Sequence, residues 1–386
     1  MKPWVLSRLV VAGAGNKTSP VLGAREHLEL ALRWLCAAQD SQGDGGVALR
    51  FSLIDGWSPS YPETTGYIIP TLLECERLLG RSDLRERALR MADFEIGVQN
   101  PDGSTNGGQV GSGYGGFVFD TGQVIFGFIA AHRITGEQRY LDGALRAGEW
   151  LLSVQDVGGQ WSRNTFEGIE HVYYARVAWA LAELAAYTGE RRYGEAARRN
   201  VGWVLAHQRP NGWFERAGFT IAGHAAPYTH TIAYTVEGVL ETGVTLGESA
   251  FIAAACRSLD AIAGIVGPDG FLGGQLDRNW RAAGRYACLT GSAQFALHCA
   301  RACRLQGGEM RRRAAQALFH YVAARQLRGG GPGTTGAIGG SWPTWGRYQR
   351  FAFPNWAAKF FIDAALALDV AHGAAGEAAG KEMFRG

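Results

Sequence analysis

FDTGQVIFGFIAAHRITG, residues 119–136, is polar only in its first turn and at its far end; between them every residue is apolar or small. A helix without a polar side has no face to turn to water, so this segment is buried all round. The chain then turns at TGEQRY (135–140) into a second helix, 138–155, with Arg and Glu on one face, the pattern of a helix half in water. That helix ends in WLLSVQDVGGQW (150–161), where a terminal Gln is followed by a Gly-rich loop and an aromatic residue.

The same plan recurs along the chain. Outer-type helices are predicted at 25–39, 83–99, 138–155, 191–207, 248–265 and 309–326, and buried ones at 64–79, 120–134, 170–187, 229–245, 288–305 and 355–370. The other helix endings read WLCAAQDSQGDGG (35–46), FEIGVQNPDGSTNGG (94–108), WVLAHQRPNGWF (203–214), IAGIVGPDGFLGG (262–274) and YVAARQLRGGG (321–331). Six hairpins of this kind bury every inner helix only if the last meets the first. The expectation is an all-α fold, an (α/α)6 toroid forming a single domain over 1–386, with repeats at about 25–79, 83–134, 138–187, 191–245, 248–305 and 309–370 and tails at 1–24 and 371–386.

The repeat resembles the Gln-Trp repeat of squalene cyclases and protein prenyltransferases. Its architecture is similar to that of six-hairpin glycosidases, unsaturated glucuronyl hydrolases, sugar epimerases and toroidal uronate lyases. The resemblance runs from about 25 to 370 and implies a fold, not a reaction.

Composition excludes some classes. Hydrophobic residues are 47% and charged residues 19% of 386, enough for a large core. The net charge of +3, with signs interspersed, lacks the basic stripe of a nucleic-acid binder. No stretch is long and apolar enough to span a bilayer, and 5–14 falls short of a secretion signal, which fits a cytoplasmic chain or, equally, a mature one that has lost its signal. Cys36, Cys75, Cys256, Cys288, Cys299 and Cys303 form no Cys-x-x-Cys pair and read as reduced core residues. No metal site and no cofactor are expected, because the His, Cys and carboxylate residues lack ligand spacing. The oligomeric state is left open.

Inner-to-outer turns are short, whereas outer-to-inner loops are long and rich in Gly and aromatics. All six long loops, and the N-termini of all six inner helices, therefore share one end of the ring. Long loops on a rigid scaffold commonly carry function, and inner N-termini favour negative charge. The starts YPETTGYIIP (61–70), VFDTGQVIFG (118–127), EGIEHVYYARVAW (167–179), PYTHTIAYTVEG (227–238), ACLTGSAQFA (287–296) and FPNWAAKFF (353–361) supply the candidates. Glu63, Asp120, His171, Tyr173, His230, Tyr234 and Glu237 are the expected catalytic groups; Glu237, two turns into its helix, reads alternatively as an ion-pair partner of Arg176 or Lys359. Trp57, Tyr61, Tyr174, Arg176, Gln294, Trp342, Trp345, Asn355, Trp356 and Lys359 are expected to bind substrate, the aromatics by stacking on sugar rings and Arg176 by holding a carboxylate. Thr64, Thr121 and Thr229 read as helix caps, and Asp120 and Glu63 read equally as caps or as acids.

A wide cavity lined by carboxylates, His and Tyr and rimmed by aromatics suits a poly- or oligosaccharide, one containing uronic acid. Glycosidic hydrolysis needs two carboxyls across the bond, and Glu63, Asp120 and Glu237 offer three. A uronate lyase or C5-epimerase, with His and Tyr moving a proton, is the alternative. Isoprenoid chemistry on the same fold lacks its Asp-x-Asp-Asp cluster here, and a non-catalytic sugar-binding toroid is a further possibility.

Overall fold

A computed structural model describes residues 22–368. Twelve α-helices, among the described residues, alternate between an outer and an inner ring. The outer set is α1 (Ala24–Asp40), α3 (Ser82–Val98), α5 (Gln138–Ser153), α7 (Arg191–Leu205), α9 (Ser249–Ile265) and α11 (Glu309–Ala323). The inner set is α2 (Pro62–Leu79), α4 (Val118–Thr135), α6 (Ala175–Thr188), α8 (Thr229–Leu246), α10 (Leu289–Gln306) and α12 (Asn355–Ala367). Each inner helix packs on the next, and α12 packs back on α2. The ring is closed.

Burial follows the sequence pattern. Every residue of α4 from Val118 to Ala131 is buried. In α5 the buried residues are Tyr140, Gly143, Ala144, Ala147, Gly148, Trp150 and Leu151, one stripe at helical spacing. Each outer helix from α3 to α11 packs on the inner helix just before it, through the short turn, while α1 packs on α12. The tight hairpin is thus inner-to-outer, and the sixth is made from the two ends of the chain. The repeats drawn from sequence cut each hairpin at its tight turn, because the long loops carry the more visible motif.

The terminal Gln of the motif is a clamp between neighbouring units. Gln99 Nε2 donates to Gly103 O in its own loop at 3.1 Å and to Gly143 O on α5 at 2.9 Å, while its Oε1 accepts from Arg146 at 2.6 Å. Gln326 closes the ring in the same way, donating to His27 O and Gly336 O at 3.0 Å each. Gln39, Gln155 and Gln208 repeat the contact. The loop glycine beside the clamp is required twice over. Gly103 has φ +92° and Gly336 +89°, and a Cβ would lie 2.3 Å from Arg146 O or 2.0 Å from Leu30 O. In the fifth unit Val266 stands where the Gln belongs, and an Arg311–Asp260 ion pair at 2.6 Å joins α9 to α11 instead.

Short strands brace the long-loop end. β1 (Arg50–Ser52) pairs antiparallel with β2 (Gly56–Trp57) and with β5 (Ala352–Pro354), tying the first loop to the last. β3 (Ala287–Cys288) pairs with β4 (Ser341–Trp342). These strands were not anticipated, being too short to show a two-residue period.

Helix starts differ in detail. α6 begins only at Ala175, after a 3₁₀ turn at Val172–Tyr174, so Glu170 and His171 precede it. Tyr61 and Phe117 stand at the N-caps of α2 and α4, so Glu63 and Asp120 lie inside the first turns and not at the cap positions. The three threonines do not cap either: Thr64 and Thr121 donate back to Tyr61 O and Phe117 O, and Thr229 to Gly274 O. The end of the sixth inner helix expected at 370, and both tails beyond 22–368, lie outside the described residues. All six cysteines are free thiols. No helix among the described residues is long and apolar enough to cross a membrane.

Candidate active site

At the end where the inner helices begin, the ring encloses a cavity of about 480 Å³. The first turn of α2 contributes Glu63, with Tyr61 at its cap, and the start of α4 contributes Phe119 and Asp120. The turn before α6 brings Tyr173 and Tyr174; α8 brings His230 and Tyr234; α12 brings Trp356. Loops add Leu49, Phe117, Phe166, Phe219, Thr220, Tyr228, Tyr348 and Gln349. Eleven of these seventeen residues are aromatic, so the walls are flat, apolar faces edged by phenol hydroxyls.

Two carboxyls are held in this apolar setting, Asp120 at 3% exposure and Glu63 at 8%. Tyr61 Oη donates to Glu63 Oε2, and Asp120 Oδ1 accepts from Gly108 N at 3.1 Å. Burial pushes Glu63 up to about 7, against the bond from Tyr61 and the charge of Arg176. Asp120 is driven well above the carboxylate range by burial and then by the charge of Glu63, opposed by backbone N–H bonds. Two like groups in low dielectric cannot both ionise cheaply, so the pair keeps a proton at neutral pH.

His230 completes the polar wall. Burial lowers it to about 3, so it is neutral. Its Nδ1 lies 2.8 Å from Gln294 Oε1. Because a carbonyl oxygen can only accept, Nδ1 carries the hydrogen and Nε2 keeps a lone pair. Tyr234 Oη is 3.2 Å from Tyr67 Oη, and burial holds both phenols far up their range, as donors rather than phenolates.

Several sequence candidates lie elsewhere. Arg176, 1% exposed, is under the cavity rather than in it. It is paired with Glu237, takes Gln123 Oε1 at 2.6 Å, and is sandwiched between the Tyr67 and Tyr234 rings at 4.9 Å each. Arg176 is therefore not free to hold a substrate carboxylate, and Glu237 does not line the cavity. Lys359 is spent on Asp363, at 2.5 Å. His171 was expected to face the cavity with Asp120, His230 and Glu237. Instead its ring nitrogens face backbone oxygens, Gly218 O at 3.1 Å and Phe166 O at 2.9 Å; burial favours the neutral ring, so one nitrogen or the other donates, between the third and fourth loops.

Gln294 acts only through His230, and Asn355 donates to Ala48 O and Thr64 Oγ1 at 3.0 and 2.7 Å. Trp57 packs on Trp34 and Phe51, and Trp342 lies by Arg325 in β4; neither lines the cavity. Trp345 is 59% exposed, outside it. Of the expected set, the ring brings together Tyr61, Glu63, Asp120, Tyr173, Tyr174, His230, Tyr234 and Trp356. The loop aromatics were missed. Phe117 and Phe119 flank Asp120 and were legible by that adjacency, but Tyr348 and Phe219 reach the cavity only through loop folding.

Comparison with known proteins supports the architecture. The model of the squalene-hopene cyclase C-terminal domain matches residues 53–242, just under half of the chain. A structure of an unsaturated glucuronyl hydrolase specific for heparin superposes with a TM-score of 0.70 at 15% identity, covering 89% of this chain and 96% of that one. The chain is an (α/α)6 toroid. Cellobiose 2-epimerase from Bacillus thermoamylovorans gives 0.68 at 10% identity, over 88% and 97%. A family 88 glycosyl hydrolase from Bacteroides vulgatus gives 0.65 at 14%, over 90% and 99%. At such identities the toroid likeness is one of fold alone. A search of curated proteins found no match.

Proposed function

We propose that this toroid is a carbohydrate-active enzyme that hydrolyses a glycosidic bond, with Asp120 as general acid and Glu63 as its carboxylate partner. The observation that carries this reading is the buried Glu63–Asp120 pair beside the Tyr61 phenol, in a cavity walled by aromatic rings. Such a pair is what glycoside cleavage needs: one carboxyl protonated at working pH to protonate the leaving oxygen, the other ionised to stabilise or attack the anomeric carbon. Asp120 is the better proton holder because the charge of Glu63 adds to the push of burial on it, whereas the charge of Arg176 pulls Glu63 down; the Tyr61 phenol lowers both. The aromatic walls suit the apolar faces of sugar rings, and the neighbouring phenols and His230 suit their hydroxyls. Structural relatives named as glucuronyl hydrolases and a sugar epimerase make a saccharide the first class to try.

The test is product mass spectrometry after incubation with a panel of acidic and neutral saccharides. Hydrolysis adds one water per bond cut; a lyase instead gives an unsaturated, ultraviolet-absorbing end, and an epimerase exchanges a carbon-bound proton without cleavage. Cleavage with added water, lost in Asp120→Asn and Glu63→Gln, is the expected result. Wild-type turnover retained by both variants would remove the pair from the mechanism.

A second reading has one observation of its own. The cavity has aromatic walls and, among the described residues, no cationic lining residue, and residues 53–242 match a squalene-hopene cyclase domain. The missing Asp-x-Asp-Asp run counts less once a buried acid pair is assembled from two helices, since such an acid can protonate an alkene and aromatic faces stabilise the resulting cation. Conversion of linear polyprenyl substrates to cyclic hydrocarbons, with no saccharide consumed, would select it.

A further inference from the structure

The six long loops divide their charge unevenly. The first four, at 41–61, 99–117, 154–174 and 206–228, hold four arginines against seven carboxylates; the last two, at 266–288 and 324–354, hold seven arginines against two aspartates. The cavity mouth is therefore acidic on one side and basic on the other, although the whole chain carries only +3.

Pairing sharpens the contrast. On the outer wall arginines are mostly neutralised, as Arg87 is by Asp40, Arg192 by Glu149 and Arg311 by Asp260. Arg278, Arg281 and Arg285 of the fifth loop and Arg347 and Arg350 of the sixth are all exposed. Among the described residues their guanidinium groups have no hydrogen bond, ion pair or ring contact. No carboxylate among the described residues neutralises these five charges, which leaves them open to an anion from outside. Two of them border the site: Arg347 and Arg350 bracket Tyr348 and Gln349, both in the cavity wall. Arg347 is also near enough to Tyr228, another wall residue, to oppose the upward push that burial gives its phenol. Among the described residues the cavity interior offers an anion no cation, and its rim offers several.

We infer that the substrate is an acidic saccharide longer than the cavity. Its reacting unit sits within the aromatic walls, and the carboxylate or sulfate groups of the following units lie across the fifth and sixth loops, with Arg347 and Arg350 as the first contacts. This rests on the carbohydrate reading above. Guanidinium forks fit both anions in bidentate fashion, and unpaired exposed charges draw a polyanion in from solution in a salt-sensitive way.

Calorimetric titration of the Asp120→Asn protein tests it, with a six-unit oligogalacturonate, a heparin hexasaccharide and neutral cellohexaose as probes at low and high salt. At least one acidic probe is expected to bind, more weakly as salt rises. Adding Arg347→Gln and Arg350→Gln should weaken that binding by roughly tenfold, whereas Arg33→Gln with Arg90→Gln on the outer wall should leave it unchanged. The inference is overturned if neither acidic probe binds in a salt-dependent way, if the outer-wall pair matters as much as the rim pair, or if cellohexaose binds as tightly as the acids. Turnover separates the two claims. Rim-dependent acid binding with no saccharide cleaved by the wild type keeps the inference and sinks the hydrolase reading; cleavage of a neutral saccharide indifferent to the rim does the reverse.

Discussion

Two buried clusters of the same residue types lie close together at the centre of the ring, and they answer burial in opposite ways. Glu237 meets the guanidinium of Arg176, which is also held by Gln123 and stacked between rings. Glu63 and Asp120, in the cavity wall with Tyr234, have no ion-pair partner among the described residues and lean on the Tyr61 phenol and backbone N–H groups. Compensation makes the first cluster a structural brace. Its absence makes the second one hold a proton at neutral pH, which is a poor arrangement for stability and a good one for catalysis. Burial alone therefore does not mark a working carboxylate; an unmatched charge facing a cavity does.

The largest effect that could break this contrast is on turnover. Asp120→Asn should lower it by roughly 10²–10⁴-fold, the range for a lost general acid, while thermal melting stays at or above that of the wild type because the amide, like the protonated acid it replaces, brings no charge to be desolvated. Unaltered turnover would place the chemistry elsewhere. Glu237→Gln should do the opposite. It strands the Arg176 charge in the interior and should cost about 3–5 kcal/mol by denaturant unfolding, with the turnover of the remaining folded protein little changed. Of the two sequence readings of Glu237, a proton-transfer group or the ion-pair partner of Arg176, this outcome selects the second.

A pH comparison sharpens the same point. Glu63 is raised from 4.5 to about 7, so the folded state binds its proton more tightly than the unfolded chain does. The stability this contributes is complete below about 4.5 and is lost as pH rises through 7. Glu63→Gln removes that loss, so variant minus wild-type unfolding free energy should rise by on the order of 3 kcal/mol between pH 4.5 and 7. A flat difference across that window would mean the carboxyl is not desolvated.

The smallest effects concern the ring itself. Gln99→Ala removes the bonds to Gly103 O, Gly143 O and Arg146 and should cost about 1–3 kcal/mol. Val266→Gln, which offers the fifth unit the clamp it lacks, should gain about 0.5–1 kcal/mol if its amide reaches α11. Differential scanning of both variants beside the wild type checks them, and a destabilised Val266→Gln would show that the Arg311–Asp260 pair has already set a different spacing there.

Twelve helices, their order and their inner or outer place were legible in the chain, because hydrophobic periodicity is a property of contiguous residues. The shared end of the long loops followed from loop length alone, which is why Tyr61, Glu63, Asp120, Tyr173, His230, Tyr234 and Trp356 could be named together in advance. Which buried charge is compensated was not legible. The partner of Arg176 lies 61 residues away on another helix, and that of Lys359 one turn away on its own; sequence spacing ranks neither above a substrate as the counter-charge. Periodicity determined the ring and the end that holds the cavity. Only the tertiary structure decided that Glu237 is paired and that Glu63 and Asp120 are not, since charge compensation is set by distances across the ring that no local pattern records.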